Sequence, residues 1–273
     1  MPEIWELDFY SRPVKDQDGK KIWELLICDR QRQREWVQVC PPNQVNSEWV
    51  ANQLAEVVQT WQVSPQKIRF YRPTMHNMLN RACKLANLVP LPSRRLLVMP
   101  QWLQERMAEV YPQQAGFIAP DPNPLPLQLN QPTLLKPLPD ALRGDKWLFA
   151  FLPAQEFANA HTWAMDFGEL FPLPPLSPDQ PIGGVIVYST RAAGIAAWMS
   201  GIDPVCLECA KDQLILSANA DAQWVISKIK DVKGAENFQQ AQQQAQGIHF
   251  LAVQTNPETE KFAGFWLLRN PTV

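Results

Sequence analysis

"KIRFYRPTMHN" (67–77) has a partner near the start of the chain, "ELDFYSRPV" (6–14). Both run an apolar, strand-like segment into an aromatic, Tyr, Arg and Pro. What precedes and follows the first stretch decides the fold. Upstream, "EIWELDFYS" (3–11) alternates Trp5, Leu7 and Phe9 against Glu6, Asp8 and Tyr10, which is strand periodicity. "KIWELLICD" (21–29) follows the turn "DQDGK" and predicts a hairpin, and "EWVQVC" (35–40) a third strand. In "NSEWVANQLAEVVQTWQ" (46–62), Trp49, Leu54, Val57, Val58 and Trp61 lie near one helical face. Asn46 or Ser47 is placed to cap that helix. "QKIRFYRP" is then strand four, "MHNMLNRACKLANL" (75–88) a second helix, "RRLLVMP" (94–100) strand five and "QWLQERMAEVY" (101–111) a closing helix.

The order βββαβαβα is that of an RNase H-like domain, in which three antiparallel strands are extended in parallel through crossover helices. Pro-dense residues 119–145 read as a connector, because proline fixes φ and removes a donor. The domains are therefore placed at 1–118 and 146–273. The second reads as mixed α/β: "KWLFAFL", "GGVIVYST", helix "RAAGIAAWMSG", three short strands, helix "AENFQQAQQQAQ", and the paired strands "IHFLAVQT" and "FAGFWLLRN". It is open to reading as a diverged copy of the first. A second proline cluster, "PLPPLSPDQP" (172–181), reads as a long surface loop.

The chain of 273 residues carries a net charge of −2, which argues against a strongly basic, sequence-blind nucleic-acid binder. The charge is uneven. Residues 1–110 hold fifteen Lys+Arg against twelve Asp+Glu, and much of that excess is arginine at strand ends and loops. No apolar run is long enough to span a membrane. The start has neither the form of a signal peptide nor that of a transit peptide, so a cytoplasmic protein is expected. Five scattered cysteines fit a reducing compartment.

A two-metal nuclease needs carboxylates converging on its ions. Asp8 fits on strand one, and Glu48 or Glu56 on the helix, but strand four offers Arg72 where an acid is required. "CLEC" (206–209) has metal-knuckle or redox spacing without a second CxxC or a His pair to complete a site. "IGGVIVYSTRAAG" (182–194) lacks a phosphate-loop glycine pattern, and helix capping explains it better. What remains is arginine beside aromatics. Single-stranded RNA is held by stacking bases on aromatic faces and pairing phosphates with cations.

The segments "IWELDFYSRPV…GKKIWELLICD", "KIRFYRP…LVPLPSRR…WLQERMAEVYP" and "GFWLL" resemble, in order, signatures of the Tab/Atab family of RNA-binding translation factors of chloroplasts and cyanobacteria. The resemblance implies binding of single-stranded, AU-rich RNA without catalysis, in support of photosystem mRNA translation and photosystem biogenesis. It implies the 5′ untranslated region of such an mRNA as partner, with translation or photosystem-assembly proteins as further candidates. No cofactor and no metal are expected. The family associates a Trp-Leu-Leu signature with RNA binding, which falls here on Trp266, Leu267 and Leu268. With these, Arg12, Tyr71, Arg72, Arg94 and Arg95 are the expected RNA-binding residues. The rival expectations are a protein–protein adaptor in photosystem assembly and, ranked last, a metal-dependent RNase H-like nuclease.

Overall fold

The computed structural model describes residues 3–119 and 135–270, and the chain divides into two compact units, 1–131 and 132–273. Most of the expected linker (120–134) lies outside the described residues.

In the first unit β1 (Ile4–Lys15), β2 (Lys21–Asp29) and β3 (Glu35–Cys40) form an antiparallel meander. β4 (Lys67–Phe70) and β5 (Pro90–Pro92) add in parallel on the other side of β1, giving the order β3-β2-β1-β4-β5. The first turn closes on the Asp16 carboxylate, which accepts from the backbone N–H groups of Asp18 and Lys20. Helix α1 (Ser47–Trp61) starts at Asn46, whose side-chain oxygen accepts from the N–H of Glu48 and Trp49 at 3.0 and 2.9 Å, satisfying two otherwise orphaned donors. Helix α2 spans His76–Leu85. Trp5, Leu7 and Phe9 of β1 and Ile68 and Phe70 of β4 pack against Val50, Leu54 and Val57 of α1 and Leu79, Ala82 and Cys83 of α2. The odd-numbered face of β1 is thus the core face, as its alternation predicts.

Two elements differ from expectation. "RRLLVMP" is not a strand. The fifth strand is the shorter Pro90–Pro92, paired Ile68↔Pro90 and Phe70↔Pro92 at the sheet edge, where missing proline donors cost least. The backbone N–H groups of Leu97, Val98 and Met99, which a strand would have spent on a neighbour, instead donate to the Glu6 carboxylate at 2.7, 3.1 and 2.8 Å. The closing helix is also broken: α3 covers Met99–Glu105, and a π turn (Arg106–Val110) and a 3₁₀ turn (Tyr111–Gln113) follow.

In the second unit β6 (Leu135–Pro137), inside the expected linker, pairs in parallel with β12 (Ala222–Lys228). With β10 (Pro204–Ala210) and β11 (Gln213–Ala218) they form a sheet ordered β10-β11-β12-β6. A second sheet is ordered β7-β9-β13-β14-β8, from β7 (Lys146–Pro153), β8 (Met165–Glu169), β9 (Pro181–Tyr188), β13 (Ile248–Gln254) and β14 (Phe262–Arg269). Helices α4 (Ala192–Ile202) and α5 (Val232–Gln244) complete it. This strand order differs from that of the first unit, so the two units do not share one topology and the copy reading is set aside. β8 carries no strand signal of its own, since its five residues include Gly168 and lack a clean alternation.

Buried His249 links the layers. Its Nε2 accepts the Leu207 N–H of β10 at 2.8 Å, while Gln242 of α5 donates to the Leu207 carbonyl at 3.2 Å. The Thr190 N–H at the start of α4 donates to Asp145, so the turn after β9 spends its donor within the chain. All five cysteines are free, and burial pushes the Cys209 thiol of "CLEC" up to about 11. The proline cluster after β8 is more than a surface loop, since Leu173 and Leu176 pack back against the core.

Gly264 explains part of "GFWLL". A Cβ there would sit 2.4 Å from the Trp266 ring and 2.9 Å from the Ala196 Cβ. Gly264→Ala therefore overpacks the layer between β14 and α4. It is expected to cost about 1–3 kcal/mol, read as a lower urea midpoint with unchanged m.

Candidate nucleic-acid interface

The even-numbered face of β1 carries Glu6, Asp8, Tyr10 and Arg12, and it is not a solvent face. Glu6, Asp8 and Arg12 are 1%, 2% and 4% exposed. Charged groups withdrawn from water must be paired, and these are. Asp8 Oδ1 accepts from Arg72 Nε at 2.5 Å. Its Oδ2 accepts from Arg72 Nη2 at 3.2 Å and lies 2.9 Å from Arg12 Nη1. Glu24, on the neighbouring strand opposite Tyr10, accepts from Arg12 Nε at 3.2 Å, Arg106 Nη2 at 2.6 Å and the Tyr111 hydroxyl at 2.6 Å. Three guanidinium groups thus share two carboxylates. Burial, together with donation to Glu24, pushes the Tyr111 hydroxyl up to about 12. Deeper on the same face, burial pushes the Glu6 carboxyl above its ordinary range, against the pull of Arg69 and of the three N–H groups it caps.

This arrangement bears on metal chemistry through Asp8 itself. Both of its oxygens are engaged by guanidinium, which competes with any metal ion for the strand-one carboxylate that a nuclease reading requires. Among the described residues no cluster of three or more His, Cys, Asp or Glu could hold an ion.

The expected RNA-binding residues fall into three groups. Tyr71 and Arg72 leave the carboxyl end of β4, and Arg94 follows the end of its parallel neighbour β5. Ligands of open α/β sheets collect outside such strand ends. The Arg72 guanidinium lies 4.6 Å from the Tyr10 ring centroid, and its side chain is 30% exposed. The Nε and Nη2 of Arg94 are buried and have no hydrogen-bond partner among the described residues, so they do not face solvent. Arg12 and Arg95 form a second group, buried behind this rim at 4% and 2% exposure. They hold the surface from beneath and do not present themselves to a ligand. Trp266, Leu267 and Leu268 are the third, on β14 between β13 and β8, at 3%, 1% and 0% exposure. Trp266 and Leu268 pack into one core layer with Ile195 and Met199 of α4, and Leu267 into the other with Phe250 and Phe265. No face of that tryptophan is open for a base to stack on.

One surface was missed from sequence. Asn77, Asn80, Arg81, Lys84 and Leu85 line an open hollow of about 500 Å³ along α2. α2 holds no acidic residue, and Arg81 and Lys84 have no ion-pair partner among the described residues. The signal available was "HNMLNRACKL" itself, in which amides and cations occupy the positions that the core leucine and alanine leave outward.

Comparison with known proteins places these features in context. The family model described as "RNA-binding protein Tab2/Atab2 N terminal" matches residues 4–106, and "RNA-binding protein Tab2/Atab2, C-terminal domain" matches 122–269. The chain is 36% identical over 278 residues to "Protein TAB2 homolog, chloroplastic" of Zea mays, an alignment covering 97% of this chain and 70% of that protein. It is 35% identical over 282 residues to the protein of the same description from Arabidopsis thaliana, covering 97% and 74%.

Because Asp8 is the anion on which Arg12 and Arg72 meet, Asp8→Asn leaves a surplus positive charge on this face: Arg12 keeps only Glu24, and the partly exposed Arg72 loses its carboxylate. The expected cost is about 3–5 kcal/mol in urea unfolding, and a cost under about 1 kcal/mol would contradict the sharing of one carboxylate by two arginines.

Proposed function

The chain belongs to the Tab2/Atab2 family of RNA-binding proteins, and from that premise we propose that its first unit grips single-stranded RNA by the backbone, without catalysis. The observation that carries this is the α2 hollow. Arg81 and Lys84 stand there with their charge unspent, beside the amides of Asn77 and Asn80, and no acidic side chain lines the hollow. Arg81 and Lys84 pair with phosphates, while the amides donate to phosphate or ribose oxygens. Arg72, whose guanidinium lies 4.6 Å from the Tyr10 ring centroid, with Tyr71 and Arg94 at the same strand ends, forms a second set of candidate contacts and adds aromatic faces. Arg12 and Arg95 support it from within.

The strand order β3-β2-β1-β4-β5, with its first three strands antiparallel, supports reading the first unit as RNase H-like. In that reading the usual site of metal carboxylates is occupied by the Asp8–Arg72–Arg12 group, and the fold serves binding alone. The family resemblance supports an AU-rich photosystem mRNA as the strand bound, with its translation as the outcome. No helix among the described residues is long and apolar enough to cross a membrane.

Filter binding of a single-stranded AU-rich oligonucleotide to an Arg81→Ala, Lys84→Ala variant tests the reading. Affinity is expected to fall, and the dependence of log K on log salt to become shallower by roughly 0.7 for each phosphate that is no longer neutralised. Unchanged affinity with an unchanged slope would remove the proposal. Cleavage of the oligonucleotide by the wild-type chain in Mg²⁺ would remove its non-catalytic part.

A further inference from the structure

In the second unit, Phe151 is an anomaly. It lies on β7, at the edge of its sheet, and it is 40% exposed, whereas Phe149 on the same strand is half-buried. Phe149 packs on Phe238 of α5, with ring centroids 5.4 Å apart, so alternation puts Phe151 on the same α5-facing side. Gly183 lies opposite Phe151 across the β7–β9 pair, and a Cβ there would approach the Phe151 ring at 3.5 Å and the Ala241 Cβ at 3.4 Å. The small residues Gly183 and Ala241 therefore form the floor beside the ring. Around it Asn237, Gln240 and Gln244 stand exposed at helical spacing on α5, and with Phe151, Pro181 and Ala241 they line a hollow of about 290 Å³.

The lining is unusual in what it lacks. It holds three side-chain amides and one open aromatic face, and no charged group. The amides of Asn237 and Gln240 have no hydrogen-bond partner among the described residues, and Gln244 accepts only a long 3.4 Å bond from Gln180. A phosphate would find no cation here. A fatty or purely apolar ligand would leave three amides unpaired. A flat ring with donors and acceptors on its edge satisfies both constraints, since it can stack on Phe151 and exchange hydrogen bonds with amides that offer both polarities.

We propose that this hollow takes one unstacked nucleobase of a bound single strand, with Phe151 as the stacking face and Asn237, Gln240 and Gln244 as readers of the base edge. The inference rests on the RNA-binding reading above and adds to it a site of base preference. The two make different electrostatic demands. Removing the α2 cations changes the salt dependence of binding, whereas removing an uncharged stacking face weakens binding at every salt concentration with the slope kept.

The experiment is fluorescence anisotropy of labelled single-stranded A, U and C homopolymers over a salt series, with wild type, Phe151→Ala, Phe151→Trp and Gln240→Ala. Phe151→Ala is expected to weaken at least one homopolymer by about five- to a hundredfold with an unchanged slope. Phe151→Trp restores binding, and Gln240→Ala reorders the preference among bases. Wild-type-like binding of all three homopolymers by Phe151→Ala overturns the inference while leaving the α2 proposal standing. Should the wild type bind no homopolymer, the RNA-binding proposal fails. The pocket is then judged alone by titrating ¹⁵N-labelled protein with each nucleoside monophosphate. Unmoved side-chain amide signals of Asn237, Gln240 and Gln244 overturn it. If Phe151→Ala melts below wild type, Phe151→Leu keeps the apolar bulk without the aromatic face and is expected to show the same weakening.

Discussion

The first unit depends on the two carboxylates of Asp8 and Glu24 that its central strands carry inward. An unpaired carboxylate taken out of water would be neutralised or would unfold the sheet. Everything on that face follows from the need to supply cations and donors: Arg12 from the same strand, Arg72 from the end of β4, and Arg106 and Tyr111 from the segment after α3. The π turn after α3 has a purpose in this light. Arg106 and Tyr111 both reach Glu24, and Arg106 also donates to the Tyr111 hydroxyl at 3.2 Å.

The same group links fold to function. With Asp8 holding Arg72 by two hydrogen bonds and the Tyr10 ring centroid 4.6 Å from its guanidinium carbon, Arg72 is fixed at the strand ends with little entropy left to lose on binding. Its charge, however, is largely compensated. The cations with charge to offer a phosphate lie instead on α2, the element that begins four residues later. Positioning at the strand ends and attraction along α2 are thus divided between two elements of the first unit.

What could be read from the chain alone follows the same division. The meander, α1 with its Asn46 cap, β4 and α2 were legible because each has one apolar face at the right period. The kinship of "FYSRP" and "FYRP" was legible too, and both arginines do meet on Asp8. Their burial was not, because a polar strand face looks the same whether it meets water or a covering helix. Only the position of α3 decides, and that depends on Glu6 reaching residues about ninety positions away in the chain. β5 was misplaced because "RRLLVMP" has a strand's composition while its N–H groups are claimed by Glu6. β6 and β8 are short segments that become strands only when their partners are in place.

The burial of Trp266, Leu267 and Leu268 changes what a failure of RNA binding on altering them would mean. All three lie on an inner strand, their side chains divided between two core layers, and Trp266 lies over Gly264 with no solvent face of consequence. Substituting the tryptophan by alanine removes a large buried side chain, a change that costs several kcal/mol in ordinary cores. Against the roughly 5–15 kcal/mol that holds a typical domain folded, that is enough to deplete the native second unit. A base-binding hollow elsewhere on that unit, built on exposed side chains such as Phe151 and Gln240, would vanish with it. Loss of binding on altering the signature would therefore report loss of the fold, and the residues that touch a ligand are to be sought among those the sheet leaves open.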